Sequence, residues 1–184
     1  MNSAAVLNSP LCACKRTRRV LFTDLQRIPY WQRLELPDGD FVDLAWSENP
    51  AQAQHKPRLV VFHGLEGSLN SPYAHGLVEA AQKRGWLGVV MHFRGCSGEP
   101  NRMHRIYHSG ETEDASWFLR WLQREFGHAP TAAVGYSLGG NMLACLLAKE
   151  GNDLPDGDDG VDGDAVILAQ LVQGGAVLGA TLHP

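Results

Sequence analysis

The chain is short of cysteine and has no long apolar run, and these shortages exclude several classes of protein before any motif is read. Its four cysteines, Cys12, Cys14, Cys96 and Cys145, form no C-x-x-C pair and have no histidine partners spaced for a structural zinc site. No metal is expected, and reduced thiols in a cytoplasmic protein are the simplest reading. No stretch approaches the roughly 18 apolar residues that a spanning helix requires, so no integral membrane segment is expected. A secretory leader places cations before its apolar stretch, whereas here the small apolar residues come first and the Lys/Arg cluster follows. Cations are outnumbered, 16 Lys+Arg against 20 Asp+Glu, and the formal charge of -4 removes any general pull toward nucleic acid. The one basic knot, Lys15, Arg16, Arg18 and Arg19, reads as a solvated tail. Beyond Lys149 there is no further Lys or Arg, and beyond Tyr136 no aromatic residue.

What is present is an ordinary globular mixture, with 44% hydrophobic and 20% charged residues, so most of the chain is expected to fold. A length of 184 residues suits one domain, and nothing in the composition sets an oligomeric state. Residues 1–29 read as an irregular or disordered N-terminal segment, residues 30–172 as the folded domain, and residues 173–184 as a glycine-rich tail without assigned structure. From Tyr30 to Leu36 apolar and polar residues alternate. Asp38-Gly39 then turns the chain into Phe41–Trp46, which predicts an antiparallel hairpin. Arg58 to Phe62 is a continuous apolar run suited to a strand buried on both faces.

Ser71-Pro72 opens a helix that Gly85 ends. Trp86 to Met91 is a second buried strand, followed by a loop from about Arg94 to Ser109, long enough to be functional or a lid. Glu111 to Phe126 carries Ala115, Phe118, Leu119, Leu122 and Phe126 on one stripe, with acids at its N-terminal end. Thr131 to Tyr136 is a short strand, Leu138 to Glu150 an amphipathic helix, and Ala165 to Leu168 the last strand candidate. Strands alternating with helices predict an α/β fold built on a parallel sheet.

Gly135-Tyr136-Ser137-Leu138-Gly139 matches G-x-S-x-G and sits between a buried strand and a helix, the context that gives this motif its meaning. On such a turn Ser137 is lifted clear of the sheet to the N-terminus of the next helix. Gly135 and Gly139 let strand and helix approach without Cβ clashes. Ser137 is therefore the candidate nucleophile. A tetrahedral intermediate needs two N–H groups aimed at its oxyanion, one of them from the residue after the serine. That residue is Leu138, and Leu65, in the loop His63-Gly64-Leu65-Glu66-Gly67-Ser68, is the second candidate donor. His63, Gly64 and Gly67 read as loop-shaping residues, His63 because it stands at a strand end before the serine.

Three motifs in order, His63-Gly64-Leu65-Glu66-Gly67, Phe93-Arg94-Gly95-Cys96-Ser97-Gly98 and Gly135-Tyr136-Ser137-Leu138-Gly139-Gly140-Asn141, resemble the YheT-type esterases of bacteria. That family is similar to the abhydrolase-domain lipases and embryogenesis-associated hydrolases of eukaryotes. The resemblance runs from about Tyr30 to Leu154. It implies a serine hydrolase acting on small-molecule carboxylic esters or lipids, without metal or organic cofactor. The fold it implies is an incomplete α/β-hydrolase fold, with an N-terminal antiparallel hairpin leading into a mostly parallel sheet that has helices on both faces.

Two departures accompany the likeness. Members of that family begin with a segment containing a His-Leu-Gln-Thr stretch, absent from residues 1–29. They also run well past this length, with the triad acid and histidine after later strands, so a truncated and poorly active chain is expected. His183 alone follows Ser137 among the histidines, and its place beside the terminus argues against it as the base. The aspartates from Asp153 to Asp164 read as a solvated acidic turn. Tested as a calcium loop from Asp156, they put Val161 at position six and Ile167 at position twelve, and fail. Arg94 and Asp114 read as an ordinary ion pair or helix-terminal charge, and Cys96 and Cys145 as structural residues. Two other readings of the same serine stay open, an acyltransferase or thioesterase and a non-catalytic fragment or binding module.

Overall fold

The computed structural model describes residues 30–150, 165–171 and 176–182. The expected N-terminal tail, the acidic turn and His183 lie outside them. The described residues form a seven-stranded sheet in the order β1-β2-β4-β3-β5-β6-β7. The strands are β1 (Tyr30–Glu35), β2 (Phe41–Trp46), β3 (Arg58–Phe62), β4 (Leu87–His92), β5 (Thr131–Tyr136), β6 (Ala165–Leu171) and β7 (Ala176–Leu182). Strands β4, β3, β5 and β6 are mutually parallel. The expected hairpin is present as β1 and β2, and β2 joins the parallel block antiparallel to β4. With β7 antiparallel to β6 on the other side, the sheet is mixed, and parallel pairing is confined to its centre.

Two boundaries differ from the sequence pattern. Strand β6 extends to Leu171, and β7 occupies part of the run that had no assigned structure. Gly179 interrupts the side-chain alternation there, whereas the pairing that fixes the strand is backbone to backbone, from Leu171↔Ala176 to Ala165↔Leu182.

Helix α1 (Pro72–Lys83) packs on one face of the sheet, with Ala74 and Val78 against Val61 and Val90. Helices α2 (Glu113–Phe126) and α3 (Leu138–Glu150) cover the other face. Phe118 and Leu122 of α2 join Met142, Leu143 and Leu146 of α3 over Val60, Phe62, Val89 and Met91. Alternate residues of β3 thus feed opposite layers, the arrangement that a continuous apolar run predicts. Proline at the first turn opens α1 as expected. The Ser71 hydroxyl, however, makes no capping bond to the helix and accepts from Ser68 N–H at 3.1 Å, so it shapes the preceding loop instead. At the other end Gly85 adopts φ 77°, Trp86 N–H donates to Ala81 O and Gly85 N–H to Gln82 O, a Schellman termination.

The long loop after β4 is strapped down. Arg94, almost wholly buried, makes a bidentate pair with Asp114 at 2.7 Å for each bond and reaches Asp40 at 3.0 Å and Asp38 at 2.8 Å. The expected ion pair is therefore one arm of a junction between the β1–β2 turn, the loop and the first turn of α2. Burial pushes the Asp40 carboxyl up. Hydrogen bonds from Asn101 and from the backbone N–H groups of Arg102 and Phe41 outweigh this and hold it below the usual carboxylate range. Removing one partner of such a buried pair leaves the others uncompensated, at a cost of about 3–5 kcal/mol. Arg94→Met is expected to lower unfolding stability by that amount in a urea titration. A loss below about 1 kcal/mol, typical of an exposed pair, would contradict the junction.

Candidate active site

Strand β5 turns into α3 at Ser137, and the turn is held by backbone contact. A Cβ on Gly135 would lie 2.4 Å from Gly139 O, and one on Gly139 would lie 2.5 Å from both Phe62 O and His63 O. The two glycines therefore let β5 meet α3, and α3 meet the end of β3, closer than any side chain permits. Ser137 itself has φ 50°, a left-handed conformation that non-glycine residues rarely adopt and that costs on the order of 1–3 kcal/mol. It is exposed while Gly135, Gly139 and Gly140 around it are buried. The side chain thus stands off the C-terminal edge of the parallel strands, where ligands bind in open α/β sheets.

The loop after β3 comes to the same place. An ideal Cβ on Gly64 would lie 3.5 Å from Ser137 Cβ and 3.4 Å from Tyr136 O. His63 is fully buried, and its ring is committed at both nitrogens. Phe93 N–H donates to Nε2 at 3.0 Å, which leaves Nδ1 to carry the proton and donate to Gly64 O at 2.7 Å. Gly67 N–H donates to the same carbonyl at 3.0 Å. With Gly64 C=O so fixed, the planar peptide turns the Leu65 N–H the opposite way. No acceptor among the described residues meets that N–H, nor the N–H of Leu138 at the start of α3, where no intrahelical acceptor exists. Leu65 is 68% exposed.

Gly67 is needed for closeness as well, since a Cβ there would lie 2.8 Å from Tyr73 Oη. The structure therefore brings His63, Gly64, Leu65, Gly67, Gly135, Ser137, Leu138 and Gly139 together at one end of β3 and β5.

Sequence reading missed His92, Tyr73, Tyr107 and Asn141. His92 had a signal: Val60-Val61-Phe62 and Val89-Val90-Met91 pair residue for residue in parallel, and each run is followed by a histidine. His92 accepts from Leu69 N–H and donates to Asp43 O, bracing the same loop from the next strand. Asn141 Nδ2 donates to Ser109 O at 2.8 Å and ties α3 to the long loop. Tyr73 falls in the apolar helical pattern of α1, which marks it for packing and gives no hint of its hydroxyl's role, and Tyr107 lies in no periodic pattern or motif.

Among the described residues no group of three His, Cys, Asp or Glu side chains could hold a metal ion, and no helix is long and apolar enough to cross a membrane.

Residues 57–161 match the family model described as alpha/beta hydrolase fold, which is more than half of the chain. The chain belongs to the α/β-hydrolase fold family. It is 95% identical over 155 residues to the esterase-family protein YheT of Escherichia coli (strain K12), covering 84% of this chain and 43% of that protein. Phospholipase ABHD3 of Homo sapiens is 28% identical over 127 residues, covering 66% of this chain and 31% of the phospholipase. The chain spans less than half the length of these relatives. An α/β serine hydrolase without lid from Xanthomonas campestris superposes with a TM-score of 0.54 at 19% identity, over 65% of this chain and 56% of that one, a likeness of fold.

Two measurements test this geometry. Gly139→Ala forces a side chain into the backbone of β3 and is expected to cost about 3 kcal/mol or more, seen as a lowered urea midpoint; a neutral change would contradict the close approach. Burial pushes the imidazoles of His63 and His92 down, to about 3 and about 4. In the unfolded chain a histidine takes a proton near pH 6.5, so below that pH the unfolded state binds more protons and stability falls with pH. Stability from these two rings is complete above about pH 6.5 and drains away toward pH 4 and then 3. Urea midpoints that stay level between pH 7 and pH 5 would contradict the burial of neutral rings.

Proposed function

We propose that this chain supplies the nucleophile and oxyanion hole of a serine-dependent carboxylic ester hydrolase, with a small-molecule ester or lipid as substrate and no cofactor. The observation that carries the reading is Ser137. It is an exposed serine in a strained left-handed turn, held by two glycines whose Cβ positions are filled by backbone. Strain of this kind persists only where the surroundings over-determine it.

In the proposed reaction Ser137 Oγ attacks the ester carbonyl carbon. A base takes the hydroxyl proton as the C–O bond forms, and the carbonyl electron pair moves onto oxygen. The N–H groups of Leu65 and Leu138 receive that oxyanion, helped by the N-terminal end of the α3 dipole. Collapse expels the alcohol, which takes up the proton, and water then hydrolyses the acyl-serine. His63 and His92 are unsuited to be the base, since each ring already uses both nitrogens in the core. In this fold the base follows the serine in chain order, and the histidine of this sequence that does so, His183, lies outside the described residues. Work in the cytoplasm is part of the proposal, in keeping with four cysteines whose number and spacing suggest no disulfide framework.

The test is covalent. In a form of the protein that retains activity, a fluorophosphonate is expected to react at one serine, and Ser137→Ala to abolish labelling. Label found on another serine, or surviving in Ser137→Ala, overturns the assignment. Leu65→Ala keeps the backbone donor and is expected to change the labelling rate little. Leu65→Pro removes the donor and is expected to slow it by about 100- to 1,000-fold. A proline variant that folds and labels at the parent rate places the donor elsewhere.

A further inference from the structure

The loop 63–67, which approaches Ser137 at Gly64, carries consecutive N–H groups on Gly64, Leu65 and Glu66, and those of Gly64 and Glu66 are taken by tyrosines. Tyr73 Oη accepts from Gly64 N–H at 2.8 Å, with its ring stacked on Tyr136 at 4.0 Å. Tyr107 Oη accepts from Glu66 N–H at 2.9 Å. Glu66 is the second non-glycine residue of positive φ, at 54°, beside Ser137 at 50°. The phenol of Tyr107 is the acceptor that Glu66 N–H finds in this loop conformation.

We propose that Tyr107 is a positioning residue: by capping Glu66 N–H while Tyr73 caps Gly64 N–H, it leaves Leu65 N–H as the single donor this loop offers. The proposal rests on the reading of Leu65 as an oxyanion donor.

The tyrosine is suited to this part because it is fixed from several sides. Its ring stacks on Phe93 at 5.1 Å and 13°, and Phe93 in turn packs against the His63 ring at 4.6 Å. The hydroxyl also interacts with the Cys96 side chain, and burial raises its pKa, so the phenol remains protonated at every working pH. The chain on either side is anchored as well. Arg105 bonds Glu111 and Glu113, and Ser109 O receives Asn141 Nδ2 from α3. Through Tyr107 the long loop therefore connects α3, which follows the nucleophile, to the loop that faces it. That is a different role from a lid, which would have to let go of both. A phenol held at 2.9 Å from Glu66 N fixes the Leu65–Glu66 peptide plane, the unit that follows the Gly64–Leu65 peptide carrying Leu65 N–H.

Tyr107→Phe tests this in the full chain, since it keeps the ring stack and deletes only the acceptor. With 15N-labelled protein, the Glu66 amide is expected to lose at least about tenfold of its hydrogen-exchange protection while far-UV circular dichroism is unchanged. The rate of fluorophosphonate labelling at Ser137 is expected to fall about 100-fold, the scale of an ångström-size misplacement of a reacting geometry. Tyr107→Leu, which loses stack and hydroxyl together, separates packing from capping. A Tyr107→Leu effect far larger than that of Tyr107→Phe on folding, with Glu66 exchange and labelling unmoved in Tyr107→Phe, overturns the proposal. So does a parent-like labelling rate in a Tyr107→Phe chain whose Glu66 amide has been released. A parent chain that fails to label at all sinks the hydrolase reading alone, and the Glu66 amide still decides whether Tyr107 holds the loop.

Discussion

Everything at the candidate site depends on two pieces of backbone being allowed to touch. Gly135 and Gly139 have no Cβ, and the space their Cβ atoms would fill belongs to carbonyls of α3 and of the end of β3. Any other residue at either place would push α3 away from the sheet and relax the turn between them. The left-handed φ of Ser137 follows from that closeness, as do the exposure of the serine and the alignment of the α3 N-terminus with the loop after β3. The cost of the strained residue is met by the core beneath it, where Met142, Leu143 and Leu146 pack on β3 and β4.

Around this contact the molecule commits its polar side chains to holding backbone. His63 and His92 spend both ring nitrogens on main-chain groups, and the two tyrosines cap N–H groups. The result is a site in which the expected chemistry lies in one hydroxyl and in amides, while the two histidines nearby are buried, neutral and structural. Perturbed pKa values mark functional sites in many proteins. Here the two most depressed histidines owe their shifts to burial in a bracing role.

Much of this was legible in the sequence, and the part that was not has a common cause. The strands and helices from Tyr30 to Glu150 follow from apolar periodicity and turn residues, because burial acts locally on each element. The G-x-S-x-G turn is equally local. Strand β7 was illegible because its pairing is backbone to backbone and Gly179 interrupts the side-chain pattern of its sequence. The Arg94 junction joins residues 38, 40, 94 and 114, and Tyr107 meets Glu66 across 41 positions. Contacts made by single side chains over such separations leave no period to read.

The two buried arginines have a joint effect on α2. Arg94, past the end of β4, grips Asp114 in its first turn. Arg58, at the start of β3, donates to Phe126 O and Gly127 O at its last. The helix is thus pinned at both ends by cations rooted in the sheet, with its dipole matched to the Arg58 end. A helix clamped in this way behaves as a strut of fixed length: it can rock on its apolar stripe, but it cannot slide along its axis. An inserted residue within Glu113–Phe126 would have to bulge toward solvent, because neither end is able to yield.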